Sequence, residues 1–186
     1  MSALPTIILE TKRLLLRRLT LDDLDDLFAL YKEPNVRRYF PDGTLTYEET
    51  QEELAWIIDV YYGQYGYGLW ATIDKATGEF IGRCGLLPWT IDGRQEVEVA
   101  YLLAEKVWRQ GLGTEVAQAI VQYGFEQLKL SRLICIMAKE NVASTKVAEK
   151  MGMTFEKTMV DDRGAFLVYS RTKMTTLPAQ TKGSDQ

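Results

Sequence analysis

Apolar side chains recur along this chain with two different periods, and the changes from one to the other mark out its elements. Residues 13–19 form a short apolar run suited to a strand. Thr20 and the aspartates behind it open a helix in which Leu21, Leu24, Leu27, Phe28 and Tyr31 share a face, with Pro34 as its stop. Thr46 and Glu49 have the spacing of a capping box and start a second helix, with Leu54, Ile57, Ile58 and Tyr61 on its apolar side. From Tyr65 onward the period shortens. Residues 68–74 and 80–87 read as a hairpin around a glycine-containing turn. Residues 96–103 then alternate: Val97, Val99, Tyr101 and Leu103 lie on one face, and Glu96, Glu98, Ala100 and Leu102 on the other.

The segment from Trp108 is the most informative. Arg109, Gln110, Gly111, Leu112 and Gly113 lead into Thr114 and a helix with one clean stripe: Ala117, Ile120, Val121, Gly124, Phe125 and Leu128. Residues 132–137 follow as a continuous apolar run, the mark of a strand buried on both faces. Strand, glycine turn, helix and buried strand make a βαβ unit, whose two strands should be parallel. A further helix over 144–151 is closed by Gly152 at C′, and two last strands are expected over 154–160 and 165–171. The pattern is that of an α/β protein with a mixed sheet. Residues 1–174 read as a single domain and 175–186 as a polar tail.

Composition narrows the chemistry. With 186 residues, 46% of them apolar, the chain can fill one core. It offers no membrane-length apolar run and no basic flank followed by a long apolar run at its start, so neither a span nor a secretory signal is expected. Two cysteines, Cys84 and Cys135, both in apolar strands, make no disulfide framework and suit the reducing cytoplasm as buried thiols. A net charge of −4 disfavours a nucleic-acid partner. The chain has no histidine, which excludes a histidine base, a Ser-His-Asp triad and histidine metal ligands. Acid–base work falls to Asp, Glu, Tyr, Lys, Cys or water.

A Gly-x-Gly turn opening a helix leaves backbone N–H groups pointing outward at the positive end of the helix dipole, a site for a phosphate or pyrophosphate. The same pattern often closes a tight turn with no ligand at all. Two nucleotide motifs fail here: Val116 stands where a dinucleotide fingerprint needs glycine, and no Walker lysine follows. Beyond the buried strand, Asn141 and Ser144 put an amide and a hydroxyl at the edge where ligands of open α/β sheets collect. Both residue types also serve well as helix caps.

Taken together, the run from Trp108 to Glu115, then Asn141 and Ser144 with Glu149 to Met153 behind them, resembles the GNAT N-acetyltransferases. Residues 11–17, 35–39 and 97–101 extend the resemblance, which is greatest to the branch that acetylates ribosomal-protein N-termini (Rim type). The resemblance implies a mixed, mostly antiparallel sheet with one central parallel βαβ unit and flanking helices. It implies acetyl transfer from acetyl-CoA to a primary amine, without a metal. Residues Arg109, Gln110, Gly111, Leu112, Gly113 and Thr114 would hold the CoA pyrophosphate, and the strand carrying Tyr101, Leu102 and Leu103 would pair with the pantetheine arm. Asn141 would hydrogen-bond that arm too. Many relatives place a tyrosine where this chain has Ala148, so Ser144 is the named donor to the departing sulfur. A homodimer would be in keeping with the branch.

A protonated amine must lose a proton before it attacks, so a carboxylate near the cleft is required. Glu98 matches the acidic position of the Rim-type strand and is the first choice; Glu96, on the same face, is the second. Either could instead be a solvated or paired glutamate. Tyr39, Trp56, Tyr61, Tyr62, Tyr65, Tyr67, Trp70 and Trp89 make the first half aromatic, mostly as core, with some expected to wall an acceptor pocket. Arg37 and Arg38 are placed either to meet an acidic acceptor group or as ordinary solvated charges. The rival readings are a non-catalytic CoA-binding module of the same fold and a nucleotide-binding α/β domain.

Overall fold

The computed structural model describes residues 5–174; the polar tail expected over 175–186 lies outside them. Eight strands form one sheet: β1 (Ile7–Glu10), β2 (Leu14–Arg18), β3 (Leu69–Asp74), β4 (Phe80–Ile91), β5 (Arg94–Leu103), β6 (Arg132–Ala138), β7 (Thr154–Asp161) and β8 (Gly164–Thr172). Their order is β1-β2-β3-β4-β5-β6-β8-β7. Only β5 and β6 run parallel; the other neighbouring pairs are antiparallel. Five α-helices accompany the sheet: α1 (Leu24–Tyr31), α2 (Pro34–Arg37), α3 (Tyr47–Trp56), α4 (Leu112–Glu126) and α5 (Val142–Lys150). This is the mixed α/β arrangement that the periodicity and the resemblance imply.

Helices cover both faces of the sheet. Trp70 of β3 and Cys84 of β4 are register partners, and Trp70 meets Tyr123 of α4 edge-on at 5.4 Å. Arg83, one residue before Cys84 and so on the opposite face, reaches Tyr31 of α1. The stripe read on α4 is its buried side, with Val116 and Leu112 added; Leu128 lies past the helix end and is only half-buried.

Several expectations need correction. β1 was not foreseen; it is a four-residue edge strand on β2. Thr20 opens a single 3-10 turn before α1, and Leu21 is exposed while Leu30 takes the buried position. Pro34 begins α2 rather than only stopping α1, since its missing N–H costs nothing at the first helical position. Beyond α3 the backbone widens into a π-helix over Ile57–Tyr65, closed by Gly66 in the left-handed region. That widening rotates the face, so Tyr62 is buried and Tyr61 only half-buried. The helix after the glycine turn starts at Leu112, two residues earlier than its stripe suggests.

Candidate active site

Parallel pairing between β5 and β6 holds at one register pair, Glu98 with Ile134. Past it the strands separate, and the Val99 carbonyl is met by the Cys135 thiol at 3.1 Å instead of by a backbone amide. The far half of β5, carrying Tyr101, Leu102 and Leu103, keeps its ladder to β4 but has no register partner on β6. A cleft of about 540 Å³ opens there, and Glu98, Tyr101, Asn141 and Ser144 line it together.

Glu98 is nine-tenths buried. Its Oε2 accepts from the Trp89 indole N–H at 2.6 Å, and its Oε1 faces the Ile136 amide at 3.3 Å. No arginine or lysine forms an ion pair with it among the described residues. Burial therefore outweighs the two hydrogen bonds and the more distant Arg83 charge, and pushes the carboxyl up to about 7. Glu96 differs. Its carboxylate is gripped through both oxygens by Arg132 Nε at 3.0 and 3.1 Å, and Arg132 also pairs with Glu156 at 2.6 Å. One of the two glutamates is thus available to take a proton near neutral pH, and the other is committed to an ion cluster across β5, β6 and β7.

At the glycine turn, Arg109 (φ 63°) and Gly111 (φ 78°) take left-handed backbone that brings the chain sharply into α4. No side chain caps α4, and the first hydrogen bond of the helix is Glu115 N–H to the Gly111 carbonyl at 3.1 Å. The amides of Leu112, Gly113 and Thr114 are left free to receive an anion. Gly113 leaves room for that approach, since a Cβ there would meet nothing nearer than 4.0 Å. Gln110 is turned aside: its amide donates to the Lys106 carbonyl and its own carbonyl accepts from Arg13.

On the other side of the split, Asn141 caps α5, its Oδ1 accepting from the Ser144 amide at 3.1 Å. The capping reading therefore holds, and it also fixes the Asn141 side chain so that its NH₂ remains free to donate into the cleft. The Tyr101 hydroxyl stands 3.4 Å from the Ser144 carbonyl, and burial keeps that phenol protonated.

The sequence model of the acetyltransferase (GNAT) domain matches residues 13–154. The chain belongs to the GNAT acetyltransferases. Among curated proteins, this GNAT enzyme is 35% identical to the uncharacterised protein YkkB of Bacillus subtilis over 164 residues, 88% of this chain and 94% of that one. It is 32% identical over 152 residues to YoaA of the same organism, named an uncharacterised N-acetyltransferase, covering 80% of this chain and 84% of that one. Among solved structures, RimL, a ribosomal-protein acetyltransferase seen with coenzyme A, superposes with a TM-score of 0.75 at 21% identity, covering 89% and 97% of the two chains, and so shares the fold.

The aromatic side chains of this GNAT enzyme correct the expectation that most of them are core: of the eight, only two are buried. Trp70 and Tyr62 are core, while Tyr39, Trp56, Tyr61 and Trp89 line the cleft. Neither arginine of the 37–38 pair behaves as a bare solvated charge. Arg37 is buried, pairs with Asp42 at 2.8 Å and lies over the Tyr31 and Phe40 rings. Arg38 is exposed and lies over Tyr39 at 4.7 Å. Three features of the cleft escape the sequence reading: the Trp89 donor to Glu98, the Tyr101 hydroxyl, and the buried Arg83. A signal for two of them was there. Asp92 and Gly93 are the two positive-φ residues of a tight hairpin turn, which pairs Ile91 with Arg94 and so Leu87 with Glu98 and Arg83 with Leu102. That register puts Trp89 and Arg83 on the Glu98 face.

Proposed function

We propose that this enzyme moves an acetyl group from acetyl-CoA to a primary amine by direct attack within a ternary complex, with residues 1–174 acting as one catalytic domain. The observation that carries the reading is the buried Glu98 carboxyl at the last paired residue of the split strands, in the cleft it shares with Asn141 and Ser144. A general base works best when its pKa lies near the working pH, and about 7 suits an amine that must be deprotonated at neutrality.

The remaining roles follow from which groups are free. Arg109, Gln110, Gly111, Leu112, Gly113 and Thr114 form the pyrophosphate turn, with the free amides of α4 as its donors. The unpaired edge of β5 at Tyr101, Leu102 and Leu103 offers backbone partners to the pantetheine arm, and Asn141 offers its amide. Glu98 takes the amine proton, directly or through water. The nitrogen lone pair then attacks the thioester carbonyl, and a backbone N–H of the β5 edge steadies the negative oxygen that develops. The C–S bond breaks as the amide forms. Sulfur leaves as a thiolate, which the Ser144 hydroxyl meets as hydrogen-bond donor with the Tyr101 hydroxyl close by, and the second proton of the attacking nitrogen passes to it, so that CoA departs as the thiol.

Thermal unfolding with acetyl-CoA, and with NAD and ATP as controls, tests the donor. At ~100 times Kd a native-state ligand adds ~2.7 kcal/mol, which at ~2–4 °C per kcal/mol raises Tm by ~5–11 °C. A rise with acetyl-CoA alone, followed by amine-dependent release of CoA thiol, is the expected result. Stabilisation without thiol release from any amine would instead favour the non-catalytic module, and a larger rise with NAD or ATP would overturn the donor.

A further inference from the structure

Arg83 lines the cleft together with Arg37, Asp42, Glu53 and Arg163, and the acetyl-transfer chemistry above gives it no task. It is 5% exposed, and its only hydrogen bond among the described residues runs from Nε to the Tyr31 hydroxyl at 2.8 Å. That hydroxyl donates in turn to Glu53 at 2.6 Å, so the counter-charge stands one residue removed. Arg83 forms no ion pair among the described residues. Arg83 lines the cleft with its guanidinium over the Tyr31 and Phe40 rings at 5.5 and 5.7 Å, and its two terminal nitrogens have no hydrogen-bond partner among the described residues. Burying a guanidinium with most of its donors unused is costly, and a carboxylate answers that cost best, because its two oxygens match the planar fork.

The position also has a direction. Arg83 pairs with Leu102 and Glu98 with Leu87 across the β4–β5 ladder, so the two charged residues face one cleft about four residues, or ~13 Å of strand, apart. Both side chains can reach into that interval; on their face of β5 the residue between Glu98 and Leu102 is the short Ala100, while Val99, Tyr101 and Leu87 of β4 also line the cleft. Trp56 and Phe166 stand among its walls.

We propose that Arg83 receives a carboxylate carried by the acceptor, so that the amines acetylated here are amino-acid-like, with the amino group toward Glu98 and the carboxylate toward Arg83. This rests on the acetyl-transfer reading, but binding can test it separately. The probes are N-acetyl-L-phenylalanine and its neutral amide, titrated calorimetrically into the full chain in the presence of CoA. The acid should bind at least about tenfold more tightly than the amide, since only it satisfies the buried fork. Arg83→Gln should abolish that preference. Glu53→Gln, which removes the counter-charge and leaves Arg83 in place, should enlarge it.

Equal affinity for the two probes, including no binding of either, overturns the assignment. So does a preference that survives Arg83→Gln or that ignores Glu53→Gln. Failure of the acetyl-transfer reading has a different signature: no thiol release with any amine, while the preference for the acid persists.

Discussion

At the scale of single residues, the Glu98 carboxyl couples activity to stability. Below its ordinary value of 4.5, folded and unfolded chains both hold the proton. As pH rises from there to about 7 only the unfolded chain releases it, so folding loses about 3 kcal/mol across that window. Glu98→Gln should therefore lower kcat by ~10²-fold or more while leaving acetyl-CoA binding unchanged, and should unfold in urea about 1–3 kcal/mol later than the parent at pH 8, an advantage that vanishes at pH 4. For the parent, kcat/KM should climb on an acidic limb centred near 7. Trp89→Phe removes the indole donor that favours the carboxylate form, and should move that limb up by about one pH unit. The candidacy of Glu98 came from its match to the acidic position of the Rim-type strand, since alternation alone puts Glu96 on the same face. Its burial was not legible, since that depends on the hairpin register that brings Trp89 over it.

At the scale of elements, the turn into α4 separates glycines that serve the backbone from those that serve a ligand. Gly111 needs its left-handed φ of 78°, so Gly111→Ala should cost about 1 kcal/mol of stability. Gly113 has helical surroundings and open space beyond its Cα. Gly113→Leu should leave the melting temperature of the free protein equal or higher, yet shrink the shift that acetyl-CoA produces. Both can be read in one series of melts. The βαβ unit was legible because the stripe of α4 and the apolar run of β6 are long and regular. The π-helix after α3 was not, because a change from i→i+4 to i→i+5 bonding leaves no mark on residue spacing until Tyr62 is found buried in place of Tyr61. The edge strand β1 escaped for another reason: four residues are too few to establish a period.

Across the whole molecule, the sheet is continuous and is pulled apart at one seam. The Glu96–Arg132–Glu156 cluster ties β5, β6 and β7 together at one end of that seam, and the cleft opens at the other. Glu96→Gln should loosen the tied end by about 1–3 kcal/mol in urea while kcat stays within about twofold, which distinguishes it from the proposed base. The mixed sheet followed from patterning and from the family resemblance. The place of the split did not, since it is set by side chains from both strands, Glu98 reaching the Ile136 amide and Cys135 reaching the Val99 carbonyl.

The buried carboxyl has a further consequence in a chain without histidine. Burial also drives both thiols upward, Cys84 to about 11 and Cys135 well above its usual range. Between pH 6 and 8 neither thiol changes charge, whereas Glu98 does. Any change that acetyl-CoA makes in the surroundings of that carboxyl will move a fraction of a proton, at pH 7 no more than about half of one, between the protein and the medium. Calorimetric titrations in buffers of different ionisation enthalpy would measure that exchange, and the part that Glu98 carries should vanish in Glu98→Gln. The enzyme would then report the charge state of its own base through heat, before any acetyl group has moved.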